Sequence, residues 1–334
     1  MGKNPEKSYS RTSERDLIHN KKLLIIYDAM YENQPDFEDF EGLKWYPYNE
    51  RRKDIKEYNK KLDRIFYSDY EKGQSGQVTE KDEWAVSAEA VLTYILNDEK
   101  LLPMNSTYAH VASDYDDKCH GTDVVFVLDE DNEEERATFS IDIATGTNAK
   151  NIRNKFAESA KAHRDVAPWT ADIKLCWHNE DRWKALGVPH FIIGLDPRGL
   201  LDATNNIAIK DELIAGREPD PITDYKILCE ILFQAILQEK LINEHSRNKS
   251  TLNRLKSLQK LQRALYDRID ALTENPNIEN LAERKAYKQT KSQEFEDLAK
   301  NDRTFGLIVG ITLRQIRQID QRKAIGKTAL KPDE

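Results

Sequence analysis

GTDVVFVL at residues 121–128 and ATFSIDIATG at 137–146 are the two segments on which the architecture turns. Each is short and rich in β-branched and aromatic residues, which predicts strands over 123–128 and 137–144. The acidic run DEDNEEER at 129–136 lies between them. Two neighbouring strands joined by one turn predict an antiparallel hairpin. Asp123 then stands at the start of the first strand and Asp142 near the end of the second, side by side. Two carboxylates at one end of a sheet repel each other unless a cation neutralises them. Oxygen-only ligands suit a hard ion such as Mg²⁺, with Mn²⁺ as the substitute. Such an ion on two carboxylates activates water and stabilises a phosphoryl transition state.

Outward from this pair, 79–97 reads as a helix, capped by Thr79, with Trp84, Ala88, Val91 and Ile95 on one stripe. A short strand is expected at 108–112. A helix follows at 148–163, with Ile152, Phe156 and Ala160 on one side, and strands at 173–177 and 189–195. The result is an α/β core with a mixed central sheet flanked by helices. It occupies 79–220. Before it come a flexible tail (1–22) and a mostly helical extension (23–78). Within the extension, LLIIY at 23–27 is either a strand or a buried helical turn, 49–67 is a charged helix and 72–78 is a loop. DPRGLL at 196–201 reads as a turn. From 221 to 334 everything reads as helix. The leucines at 252, 255, 258, 261 and 265 form an amphipathic stripe, suited to a packed helical hairpin more than to a coiled coil, because Arg268 interrupts the heptad.

The order helix–three strands–helix–strand over 79–195, the GTD step at 121–123 and the acid within SIDIA at 140–144 resemble the PD-(D/E)xK nuclease superfamily, the restriction-endonuclease-like fold. The resemblance implies a metal-dependent phosphodiesterase acting on DNA or RNA with Mg²⁺ or Mn²⁺. It makes Asp123 the first acid and Asp142 the second. It adds a Glu from the first core helix, here Glu89 with Glu83 in reserve. It also implies charged residues on the helix after the third strand, where Lys150, Arg153 and Lys155 lie. Arg153, Lys155, Lys161 and Arg164 are the expected nucleic-acid contacts. One position departs from the family pattern: the Lys two residues after the second acid is replaced by Ala144. That Lys orients the attacking water and offsets developing charge. Lys150 or Lys155, or the Thr145 hydroxyl, is the replacement to look for. Without one, the fold would serve as a binding or assembly module.

The neighbouring acids Asp114, Asp116 and Asp117 read as a solvated turn, with Asp116 or Asp117 the candidate to extend the metal site around Gly121, Asp117 first. Cys119, His120, Cys176 and His178 have no usual zinc spacing. The remaining histidines read as surface or satisfied core residues.

Composition sets the outer limits. The chain has 334 residues, 39% of them hydrophobic and 33% charged, and a net charge of −8. No apolar run approaches the ~18 residues of a membrane span, no apolar leader stands at the N-terminus, and three cysteines make no disulfide framework. A cytoplasmic protein with no membrane association is expected. No P-loop, GxSxG or HExxH signature is present. The charge is uneven. Residues 247–331 carry 19 Lys and Arg against 10 Asp and Glu, which leaves the first 246 residues at −15. The split marks the C-terminal helices as a candidate surface for an anionic partner, a protein partner or a second copy of the chain.

Overall fold

The computed structural model describes residues 14–32, 34–71, 80–98, 101–102, 107–128, 136–145, 148–161, 168–178, 181–245, 249–274, 280–300 and 302–329. In chain order the helices and strands are α1 (Glu14–Tyr31), α2 (Tyr48–Glu71), α3 (Glu80–Leu96), β1 (Thr107–Val111), α4 (Asp114–His120), β2 (Val124–Leu128), β3 (Ala137–Ala144) and α5 (Ala149–Ser159). There follow β4 (Thr170–His178), β5 (Asp181–Gly194), α6 (Pro197–Asn205), β6 (Ile207–Lys210), β7 (Leu213–Arg217), α7 (Pro221–His245), α8 (Lys249–Thr273), α9 (Leu281–Lys300) and α10 (Arg303–Ala329). The class is α/β with a helical C-terminal region, as expected. No described helix is long and apolar enough to cross a membrane.

The main sheet has the order β1-β2-β3-β5-β4. Strands β1, β2 and β3 form an antiparallel meander. β3 and β5 are the parallel pair, and β4 runs antiparallel to β5 at the edge. A parallel pair needs a long crossover, and α5 with β4 supplies it. Strand β2 is buried along its whole length. Val124, Phe126 and Leu128 face the principal core with Phe139, Ile141 and Phe191, while Val125 and Val127 join Tyr108, Ile173 and Cys176 on the other face. That two-sided burial is why DVVFVL is a continuous apolar run without alternation.

The helical C-terminal region is built into this core. Ile227, Leu228 and Ile231 of α7 and Leu258, Leu261 and Leu265 of α8 belong to the same cluster as the sheet. Ile308 and Ile319 of α10 meet Ile152 and Phe156 of α5. The upper part of β5 has β3 on one side and α7 on the other. Glu230 accepts the Gly194 N–H at 2.8 Å. Gln234 accepts the Ile192 N–H at 2.8 Å and donates to the Ile192 carbonyl at 2.7 Å. Gln238 donates to the His190 carbonyl at 2.7 Å. Every fourth residue of a helix thus meets every second residue of a strand. The spacings match, because four helical residues rise ~6.0 Å and two strand residues ~6.6 Å.

LLIIY takes the helical of its two readings, within α1, with Leu23 and Ile26 buried. Several expectations are corrected. That helix starts at Glu14, so the stretch 14–20 of the expected tail is helical. DPRGLL opens α6: Asp196 caps it, accepting the Gly199 N–H at 2.7 Å, and Pro197 occupies the first turn. Asp114, Asp116 and Asp117 lie in α4, and Asp116 is fully buried. The expected cap Thr79 and the expected loop 72–78 lie outside the described residues.

Candidate active site

Asp123 immediately precedes β2, and Asp142 is the sixth residue of β3. In the antiparallel register Val124 faces Ile141, so the two aspartates are the next pair along. The Asp123 N–H donates to the Ile141 carbonyl at 2.8 Å. Its carboxylate then accepts the Ile143 N–H at 2.6 Å, which holds the side chain across the end of β3. The hairpin expected from the sequence therefore brings both acids to one sheet end. Burial raises the Asp123 carboxyl well above the ordinary aspartate range, and Asp142, then Glu89, push it further by repulsion. Lys155 works in the opposite direction.

Glu89 comes from α3, which packs on the sheet. Burial pushes its carboxyl up to about 7. The Tyr31 hydroxyl, from α1, opposes this by donating to Glu89 at 2.5 Å. Asp117 of α4 adds repulsion, while Lys118 and Lys155 relieve it. Asp117 pairs with its neighbour Lys118, and its own carboxyl is raised, by burial first, with Asp142 among the repelling charges. The electrostatic unit is therefore four carboxyls, from α3, α4, β3 and the residue ahead of β2, held with two ammonium groups.

Lys155 is the key cation. It lies on α5, and its ammonium pairs directly with Asp142. Burial disfavours its charge, but Asp142 and then Asp123 hold the ammonium above its ordinary range. Lys150 is exposed on the first turn of the same helix. Five helical positions separate the two lysines by roughly 140° around the axis, so they cannot share a face. Of the two expected replacements for the motif Lys, the structure brings Lys155 to the acids. Ala144 shows why no Lys stands on the strand. It is buried against Ile152 and Phe156 of α5, on the same face of β3 as Asp142, where a long charged side chain would have no room.

Other candidates fall elsewhere. Arg153 and Lys161 are exposed, on α5 and just beyond it. Glu83 and Arg164 lie outside the residues whose side chains are described. Asp116, expected in a solvated turn, accepts the Lys174 and Leu175 N–H groups at 2.9 and 3.0 Å and ties α4 to β4. A buried chain lies behind the aspartates: Thr122 and Ser140 share a 2.8 Å hydrogen bond, and Ser140 shares another of 2.8 Å with His190. Burial keeps His190 below the ordinary histidine range, against the pull of Asp142. Tyr31, Lys118 and His190 are the residues the sequence reading missed. They reach the site from segments more than 20 residues away in sequence, or in the case of Lys118 from a run read as solvated.

The donor chemistry bears on the metal. Among the described residues no three or more His, Cys, Asp and Glu side chains form a ready metal cage. The expected ligand set of Asp123, Asp142, Glu89 and Asp117 is thus not gathered as one cage, and the His178 side chain lies outside the described ones. What remains is a pair, Asp123 and Asp142, whose mutual repulsion and partial access to solvent suit a hard ion that keeps most of its waters. The chain matches no protein-family model, no curated protein and no solved structure.

Proposed function

We propose that this protein is a metal-dependent phosphodiesterase of the PD-(D/E)xK kind, a nuclease acting on DNA or RNA. The observation that carries the reading is the Lys155–Asp142 pair, in which a helix supplies the cation that the family pattern places on the strand. The element order α3-β1-α4-β2-β3-α5-β4-β5, with β5 parallel to β3, supports a restriction-endonuclease-like core in which α4 and the edge strand β4 are additions to the helix–three strands–helix–strand order.

Asp123 and Asp142 are the residues that would hold Mg²⁺ or Mn²⁺. A bound divalent ion supplies a water of lowered pKa and charge stabilisation for a pentavalent phosphate. Lys155 orients Asp142 and presents an ammonium beside the place where negative charge develops. Glu89, with a carboxyl near neutrality, is suited to accept a proton from a water at the site. Tyr31 fixes the Glu89 carboxyl by its hydrogen bond, and the Thr122–Ser140–His190 chain keeps the floor beneath Asp142 rigid.

The test is cleavage of labelled DNA and RNA with Mg²⁺ or Mn²⁺, beside Asp142→Asn and Lys155→Gln. Metal-dependent cleavage that Asp142→Asn abolishes and Lys155→Gln lowers by about 10²-fold or more is the expected outcome. No cleavage of any substrate by the parent overturns the reading. It would leave the second one, a nuclease-like assembly module, which Ala144 at the position of the family's Lys favours.

A further inference from the structure

Helix α2 carries a feature that the catalytic reading does not use. Lys53, Lys56, Glu57, Lys60, Lys61 and Arg64 line a groove of ≈ 430 Å³ that is floored by Cys119 of α4. Their spacing of three and four puts all six on one face of the helix. All are exposed. Five are cations and one is an acid, in the part of the chain whose net charge is −15. Among the described residues none of the five cations has an ion-pair partner. In the C-terminal stretch that carries the charge excess, Lys288 and Lys291 are paired with Asp270 and Glu294.

The groove adjoins the carboxylate cluster through α4. That helix places Cys119 in the groove floor and Asp117 and Lys118 in the cluster. Tyr58 of α2 donates to Asp114 of α4 at 3.4 Å, and Asp114 is one of the charges acting on Asp117 and Lys118. The groove and the carboxylate cluster are therefore neighbours with α4 between them.

We propose that the basic face of α2 is a track for the sugar–phosphate backbone of a nucleic acid, leading to the Asp123–Asp142 site. The proposal rests on the phosphodiesterase reading and names where its substrate is gripped. A row suits a linear polyanion better than a single phosphate, which calls for cations that converge. From Lys53 to Arg64 the helix rises about 16 Å, enough to run beside several phosphates of one strand spaced ~3.4 Å along a duplex axis. Among the described residues the groove is lined by charged side chains and Cys119, which suits recognition of backbone charge, tolerant of sequence.

The test uses the full chain in EDTA, so that binding is read without cleavage. A variant carrying Lys56→Gln, Lys60→Gln, Lys61→Gln and Arg64→Gln is compared with the parent by fluorescence anisotropy of a labelled oligonucleotide, between about 50 and 200 mM salt. Circular dichroism checks that these exposed changes leave the fold intact. The expected result is a loss of affinity of about tenfold or more, with the log–log salt slope shallower by roughly 2–4. Unchanged affinity and slope, or a parent that does not bind at the lowest salt, overturns the track. Hydrolysis of bis(p-nitrophenyl) phosphate by the parent in Mg²⁺ or Mn²⁺ without EDTA, with Asp142→Asn as control, reads the acids separately, because a small diester needs no track. Track-dependent binding without hydrolysis breaks the catalytic reading alone, and hydrolysis without track-dependent binding breaks this inference alone.

Discussion

Replacing Glu89 by Gln is expected to make this protein more stable above neutral pH while removing a group from its candidate site. Burial and the repulsion of Asp117 push the Glu89 carboxyl from its ordinary 4.5 up to about 7, against the help of Tyr31, Lys118 and Lys155. Between these two values the native state holds a proton that the unfolded chain has released. Stability attached to Glu89 is therefore complete below about pH 4.5 and is lost as pH rises through about 7. A displacement of that size corresponds to about 3 kcal/mol at pH 8. Gln has the same shape, carries no charge and still accepts the Tyr31 O–H. The assay is urea unfolding of parent and variant in EDTA at about pH 5 and pH 8. The stability gap in favour of the variant should widen by about 2–3 kcal/mol between the two. A gap that does not change with pH, or a variant less stable than the parent at both, refutes the electrostatic account of the cluster. Stabilisation on loss of a charge is the mark of a site held against its own folding interest.

Three further outcomes follow from the packing. Arg217 is almost wholly buried and makes two bonds to Asp224, at 2.6 and 3.2 Å, and one to Asp98 at 2.7 Å. Arg217→Met takes the two-bond cation from the buried Asp224 and should cost about 3–5 kcal/mol in urea unfolding, with partial recovery when Asp224→Asn is added. Asp116→Ala leaves the Lys174 and Leu175 N–H groups without their acceptor and should cost about 2–5 kcal/mol, read as a lower denaturation midpoint. A Cβ at Gly194 would lie 2.5 Å from Thr304 Cγ2 and 2.9 Å from Ile308 Cδ1. Gly194→Ala should cost about 1–3 kcal/mol and speed hydrogen exchange in α10, and Thr304→Ser, which removes the nearer atom, should recover part of the loss.

The legible parts of the chain were those where short-range pattern and long-range packing agree. The β2–β3 hairpin is readable because β2 is a continuous apolar run and β3 alternates Phe139, Ile141 and Ile143 with Thr138, Ser140 and Asp142, both in residues that favour strands. The pairing of Asp123 with Asp142 followed from hairpin geometry alone. Strand β5 was read as starting near Pro189, because its first half, DRWKALGV, is charged and only half-buried. The β6–β7 hairpin went unseen. Its turn uses Asp211 and Glu212, both at positive φ of 51° and 61°, in place of the Asn-Gly or Asp-Gly that announces such a turn. Asp116 was misread because a run of acids signals solvent, and only the distant β4 backbone makes its burial favourable. The choice of Lys155 over Lys150 required the helix phase. Tyr31 and His190 required tertiary structure, since nothing in their local sequence marks them.

The seam between α7 and β5 sets an order on how the molecule is made. Residues 190–194 pair with β3 on one side, and on the other they depend on Glu230, Gln234 and Gln238. When the sheet has emerged from the ribosome and α7 has not, that flank is a bare template that any passing strand can extend. Once α7 docks, the template is closed by side chains rather than by backbone. A competing segment must then displace three carboxyl or amide groups set at one-turn intervals on a helix that is itself anchored in the core. The C-terminal helices thus close the flank of the strand beside the one that carries Asp142.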